Sequence, residues 1–259
     1  PYPRPSLAIG ATIALGSALF GRRCVTYSGG SLSQYVISAA DTASGKDRPN
    51  KCLHQALEGW PAVRGPGGFS SFASTVDRIK ATTDGANSAL LFISDEFGEK
   101  FATMSAQKSG HQAELGALIL QMATIGTGAY VNAQSLARGG QDISIEAPCL
   151  SIFGSSTPSS LDAIFSSKQT SHGIANRSLL SYSKISLPQK NRGFHRHAQC
   201  PDDVKAAVAS VRAAHEQWKT TQPAGTKPNH IPDYVPTYVQ MDDAALDFYD
   251  GLCDEVDEA

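Results

Sequence analysis

Cysteine is scarce and unpatterned in this chain. Cys24, Cys52, Cys149, Cys200 and Cys253 are odd in number, widely spaced, and include no C-x-x-C pair. That argues against a disulfide framework or a zinc finger and fits reduced thiols. An excess of charge of one sign is missing too. Lys and Arg number 22 against 24 Asp and Glu, a net of −2, so any nucleic-acid-binding surface must be local. There is no long hydrophobic run. The longest, Leu7 to Phe20, is interrupted by Gly10, Thr12, Gly16 and Ser17 and is too short to span a bilayer. It also lacks the basic leader and initiating Met of a signal peptide, so the expectation is a cytoplasmic protein with no membrane partner. What is present is ordinary for a folded chain: 259 residues, 41% hydrophobic and 18% charged, enough for one large α/β domain with a small appendage. The opening Pro-Tyr-Pro-Arg-Pro reads like a linker, so a domain belonging to something longer is expected.

Residues 6 to 20 are rich in small apolar side chains and read as a buried helix. Gln34 to Ala39 is a short β-prone run that stops at a polar turn, Asp41 to Asp47, after which 49 to 58 look helical. The Gly-Pro-Gly-Gly at 65 to 68 breaks the chain, and Ser71 to Lys80 is amphipathic with a helical period. Ala89 to Ser94 is a continuous apolar run bounded by turn residues and predicts a central parallel strand ending in Asp95-Glu96. His111 to Ile125 is helical in pattern. Ala129 to Ala137 and Gln141 to Ala147 flank Arg138-Gly139-Gly140 and predict a hairpin. Cys149 to Gly154 and Ser178 to Ser183 read as two further buried strands. Strands alternating with helices imply an α/β fold with helices on both faces of the sheet. Beyond 187 come a basic loop (Lys190 to His197), a helix (Asp202 to Lys219), an extended linker with Pro223, Pro228, Pro232 and Pro236, and a short helix (Asp242 to Cys253).

Chemistry concentrates where strands end. The turn 40 to 47 ends in Gly45-Lys46, the second half of a phosphate-binding G-x-x-x-x-G-K-[ST] loop; Ala40 stands for the first Gly and Asp47 for the final hydroxyl. Such a loop offers backbone N–H groups at a helix N-terminus, a Gly at the closest approach to phosphate, and a Lys for the β- and γ-phosphates. Taken alone it is also what a surface turn with a solvated Lys looks like. Asp95-Glu96, some 50 residues on, matches an Asp for a Mg²⁺ shell and a Glu that polarises water. Ser155-Ser156-Thr157 follows the next strand, either to sense a γ-phosphate or to cap a helix before Pro158. Arg177 precedes the last strand, as a surface residue or as an arginine finger acting on a neighbouring subunit. Ligands in open α/β sheets bind at the C-terminal strand edge, so the order of these motifs says more than any one of them.

In TASGKD, LLFISDEFG, EAPCLSIFGSSTP and GIANRSLL, from Pro5 to about Tyr182, the chain resembles the ATPase domain of phage and prophage primase–helicase proteins, similar to AAA+ and RecA-like motors. The resemblance implies a P-loop NTPase: an α/β fold with a mostly parallel central sheet flanked by helices, a β-hairpin before the sensor strand, and a small C-terminal helical appendage. Residues 1 to 187 would be the ATPase domain, and 188 to 259 would pack on it. Thr42, Ala43, Ser44, Gly45, Lys46 and Asp47 would hold ATP, with Lys46 the phosphate lysine. Asp95, with Asp47, would hold Mg²⁺; Glu96 would orient water, Ser155, Ser156 and Thr157 would supply the sensor, and Arg177 the finger. In ring helicases of this kind the hairpin points into a pore, which would make Arg138 a backbone contact for single-stranded DNA; the other reading is a structural hairpin with a solvated Arg at its turn. Lys190, Arg192 and Arg196, with His195 and His197 among them, would form a second contacting loop or simply a solvated one.

The function so implied is an ATP-dependent ring helicase or translocase on single-stranded DNA, a homo-oligomer of six expected, in a bacterial or phage-infected host cytoplasm. A fused or associated primase or polymerase module is the expected neighbour. Two rivals share the fold: an ATPase that remodels protein partners in loading, packaging or defence, and an adaptor left inactive by Ala40 and Asp47.

Overall fold

Every strand of the central sheet runs the same way. In the computed structural model the described residues are 4–26, 30–42, 44–65, 71–86, 88–106, 111–123, 130–134, 142–165, 173–183, 199–221 and 237–238. The sheet comprises β2 (Tyr35–Ala40), β3 (Leu90–Ser94), β6 (Leu150–Ser156) and β7 (Ser178–Ser183), in the order β3-β6-β2-β7, all parallel. Outside it, β1 (Cys24–Val25) pairs in parallel with β8 (Thr237–Tyr238), and β4 (Tyr130–Gln134) pairs antiparallel with β5 (Asp142–Glu146). The expected hairpin therefore forms, although its tip, with Arg138, lies outside the described residues.

Side chains alternate across the parallel strands and build two cores. Tyr35, Ile37, Leu90, Phe92 and Ile152 face one side, which is covered by α3 (Phe72–Ala86), α4 (Phe97–Ala106), α5 (His111–Met122) and α6 (Pro158–Phe165). Val36, Leu91, Ile93 and Phe153 face the other, under α1 (Pro5–Phe20), α2 (Asp47–Ala56) and α7 (Asp202–Thr221). Residues buried on both faces need apolar side chains at every position, which is why β3 reads Leu-Leu-Phe-Ile-Ser without alternation. Burying each such side chain contributes about 1.5–3 kcal/mol.

Helix α1 lies across β7, β2, β6 and β3, and its small residues allow that approach. It is not wholly buried as expected: Ile9 is 60% exposed, and Ile13 and Phe20 also reach the surface. The reason is that α1 is apolar all round, whereas only one side of it meets the sheet. Strand β7 is likewise not the buried strand its composition suggests. It stands at one edge of the sheet, with Leu179, Leu180 and Tyr182 exposed; β3 forms the other edge and is not the central strand expected, staying buried because Val63 and Gly65 bond its outer backbone and helices cover both faces. Helix α7 packs on α2, bringing Cys200 and Val208 into the second core. The segments expected to form the basic loop, the proline-rich linker and the last helix lie outside the described residues, apart from Thr237 and Tyr238 in β8. Among the described residues no helix is long and apolar enough to cross a membrane.

The connections create one crevice. Leaving β2, the chain enters α2 on one face; leaving β6, it enters α6 on the other. Since β2 and β6 are neighbours, their C-terminal ends open between helices departing in opposite directions. This is the place where open α/β sheets bind ligands.

Candidate functional site

The crevice is framed by three chain segments that follow parallel strands. After β2, the backbone turns at Gly45, whose φ of +84° is a left-handed conformation that favours Gly, and enters α2 at Asp47. No side chain caps this helix end, but its first turn offers an anion little: the Arg48 N–H donates to the Gly45 carbonyl at 3.1 Å and Pro49 has no N–H. After β3, Asp95 and Glu96 make a tight turn into α4, with Glu96 at φ +53°. A non-Gly residue in that region is uncommon and costs energy unless its surroundings hold it there. The turn is held by the Glu96 N–H, which donates to Asp95 Oδ1 at 3.1 Å.

Lys46 joins the first segment to the second. Its Nζ donates to Glu96 Oε1 at 2.8 Å, with the Lys side chain 13% exposed and the Glu 44%. With the Glu96 end open to solvent the pair contributes about 1 kcal/mol, little enough for a polyphosphate to displace Glu96 from the ammonium. The third segment enters through β6. Strand pairing sets Ser38 of β2 beside Ser155, and Ser94 of β3 beside Gly154, so Asp95 emerges level with Ser155. Ser155 Oγ donates to Asp95 Oδ1 at 2.9 Å and accepts from Asn50 Nδ2, on α2, at 2.8 Å. The chain Asn50–Ser155–Asp95 thus crosses all three segments. Ser155 lies within β6 and not in the loop after it, because the strand runs on to Ser156.

The remaining site expectations divide. Ser156 is fully buried and its Oγ has no partner; Ser44 is buried with its Oγ also unpartnered. Thr157 caps α6, its Oγ1 accepting from the Ser160 N–H at 3.3 Å, which is the capping role among its alternatives. Thr42 is exposed, and Ala43 lies outside the described residues. Asp47 is engaged by Lys51, one turn along α2, at 2.5 Å; that hydrogen bond holds its carboxyl below the ordinary carboxylate range. Arg177 is not brought to the cluster. It ends a 3-10 turn at the N-terminal edge of β7, opposite the crevice, exposed, with Nη1 donating to the Gly173 carbonyl at 2.8 Å. Arg138, Lys190, Arg192, Arg196, His195 and His197 lie outside the described residues.

Two residues at the site carry no expectation from sequence. Asn50 is buried, and its signal was helical period: with Leu53 and Ala56 it forms the buried stripe of α2, where an amide needs a polar partner. Arg4 is also buried, its Nε donating to the Ser44 carbonyl and its Nη1 to Ser183 Oγ, each at 3.3 Å. Its isolated place in a proline-rich opening gives no such signal.

The residues present fit a nucleotide and a divalent cation. Lys46 suits phosphates, and Ser44 Oγ, Ser156 Oγ and Asn50 Oδ1 are buried polar atoms lacking partners. Oδ1 of Asp95 already accepts two hydrogen bonds, which leaves Oδ2 for a cation. No group of three or more His, Cys, Asp or Glu able to hold a metal occurs among the described residues. A Mg²⁺ ion needs one or two carboxylates and completes its shell with phosphate and water, and the Asp95 carboxylate is what would hold it here. Compared with protein-family models, curated proteins and solved structures, the chain matches none.

Proposed function

We propose that this chain is a P-loop NTPase domain that hydrolyses ATP, working as a ring-forming helicase or translocase on single-stranded DNA in phage-type replication. The observation that carries the ATPase part is the Lys46–Glu96 contact, which unites the Gly45-Lys46 loop after β2 with the acidic pair after β3 at the C-terminal edge of a parallel sheet. The order β3-β6-β2-β7 supports it, since the polar end of β6 is inserted between the phosphate loop and the acidic turn. In this reading Lys46 binds the phosphates at the turn that precedes α2. Asp95 offers Oδ2 to Mg²⁺, which when bound neutralises phosphate charge. Glu96, released from Lys46 by the incoming phosphates, would orient the attacking water. The DNA and ring parts rest on the resemblance to primase–helicase ATPases.

The test is ATP turnover by the wild type and by Glu96→Gln, with and without single-stranded DNA, on material sized by light scattering. DNA-stimulated turnover by an oligomer, lowered at least about a hundredfold in Glu96→Gln, is the expected result. Turnover that DNA leaves unchanged would transfer the reading to a protein-remodelling ATPase. Absence of both turnover and Mg²⁺-dependent nucleotide binding would overturn it altogether.

A further inference from the structure

We infer that Asn50 is the positioning residue of the cation site: through Ser155 it orients the Asp95 carboxylate so that Oδ2 faces the cation. The inference rests on the nucleotide-binding reading above and adds a residue that the phosphate-loop motif does not contain.

The geometry fixes the direction of the hydrogen bonds. Asp95 accepts at Oδ1, so the Ser155 hydroxyl must spend its single proton there. Its oxygen is then an acceptor only, and the atom 2.8 Å away must be the amide Nδ2 of Asn50 and not its Oδ1. Asn50 and Ser155 are both buried, so water does not compete for either bond. With Nδ2 in place the hydroxyl has one low-energy rotor, aimed at Asp95. Without it the hydroxyl proton is free to swing, and Asp95 keeps only the Glu96 N–H at Oδ1. Asn50 lies on α2 four residues beyond Lys46, the N-cap residue of that helix, so one chain segment carries both the lysine that would meet phosphate and the group that orients the metal carboxylate. Groups in this outer position typically alter metal affinity by 10–100-fold when removed.

The experiment titrates Mg²⁺ into the full chain with a fluorescent, non-hydrolysable ATP analogue and reads the concentration giving half-maximal binding. Asn50→Leu and Ser155→Ala should each raise it about tenfold. Ser155→Thr, which keeps the hydroxyl, should restore it. Should Asn50→Leu lower the melting temperature markedly, Asn50→Asp reads the same quantity with the donor exchanged for an acceptor of equal size. A shift in Ser155→Ala with none in either Asn50 variant would overturn the inference and leave the proposed function standing. A wild type whose analogue binding ignores Mg²⁺ would overturn both.

Discussion

Glu96 holds a backbone conformation its side chain disfavours, at φ +53°, while reaching Lys46 with that side chain. For an L-residue the left-handed region costs about 1–2 kcal/mol, and the half-wet ion pair returns at most about 1 kcal/mol. Glu96→Gly and Glu96→Ala both remove the pair, but only Gly removes the strain. Urea unfolding should therefore find Glu96→Gly more stable than Glu96→Ala by about 1 kcal/mol, with ATP turnover absent from both. Equal stability would mean that the turn is relaxed and that its φ has no bearing on the site. Residues of this kind are legible in sequence because their motifs are contiguous: Gly45-Lys46 and Asp95-Glu96 follow the strands they serve. Arg4 and Asn50 are not, because their meaning comes from partners far away in the chain, Ser183 and Ser155. Asp47 could be read only as a departure from the motif, and its use by Lys51 required the helix to be in place.

At the level of elements, α4 is positioned by one close approach. Gly154 of β6 has Phe97 directly over it, so a Cβ there would stand 2.5 Å from Phe97 Cγ. Phe97 in turn stacks on Phe101 at 5.9 Å between ring centroids. Because Phe97 immediately follows Glu96, this contact also sets where the acidic turn ends. Gly154→Ala should destabilise the fold by about 1–3 kcal/mol through overpacking. Combined with Phe97→Leu it should cost less than the sum of the single changes, by at least about 0.5 kcal/mol in a double-mutant cycle. Strict additivity would show that the ring has somewhere else to go. Helix α4 drew no expectation from sequence because it begins on an aromatic residue and a Gly, straight after an acidic pair. Strand β7 was legible as a strand but not as an edge: an apolar run states that side chains avoid water, not how many neighbours the backbone has. The same holds for β3, read as central yet standing at the opposite edge; like that of β6, its unbroken apolar run required cover on both faces and received it.

Across the whole molecule, Arg177 and the crevice lie at opposite ends of β7, six residues that span roughly 20 Å at the usual rise. Arg177 therefore cannot complete the site of its own chain, and if it stabilises phosphoryl transfer it does so on another copy through a head-to-tail interface. That geometry makes a prediction a cis-acting residue would not share. Arg177→Ala has an intact Lys46–Glu96 site but no finger, while Glu96→Gln has the finger but no working site. Each alone should be nearly inactive. Mixed in equal amounts and allowed to exchange subunits, they place an intact site against an intact finger at about one quarter of ring interfaces, so turnover should recover toward that fraction of wild type. Subunit exchange is verified independently by energy transfer between labelled chains. Recovery requires that two lesions on different chains complement one another, which only an arginine acting across an interface allows. If exchange is complete and turnover stays at the level of the separate variants, Arg177 supports the fold at the N-terminal edge of β7 through its bond to Gly173, and the shared-site model of the ring fails.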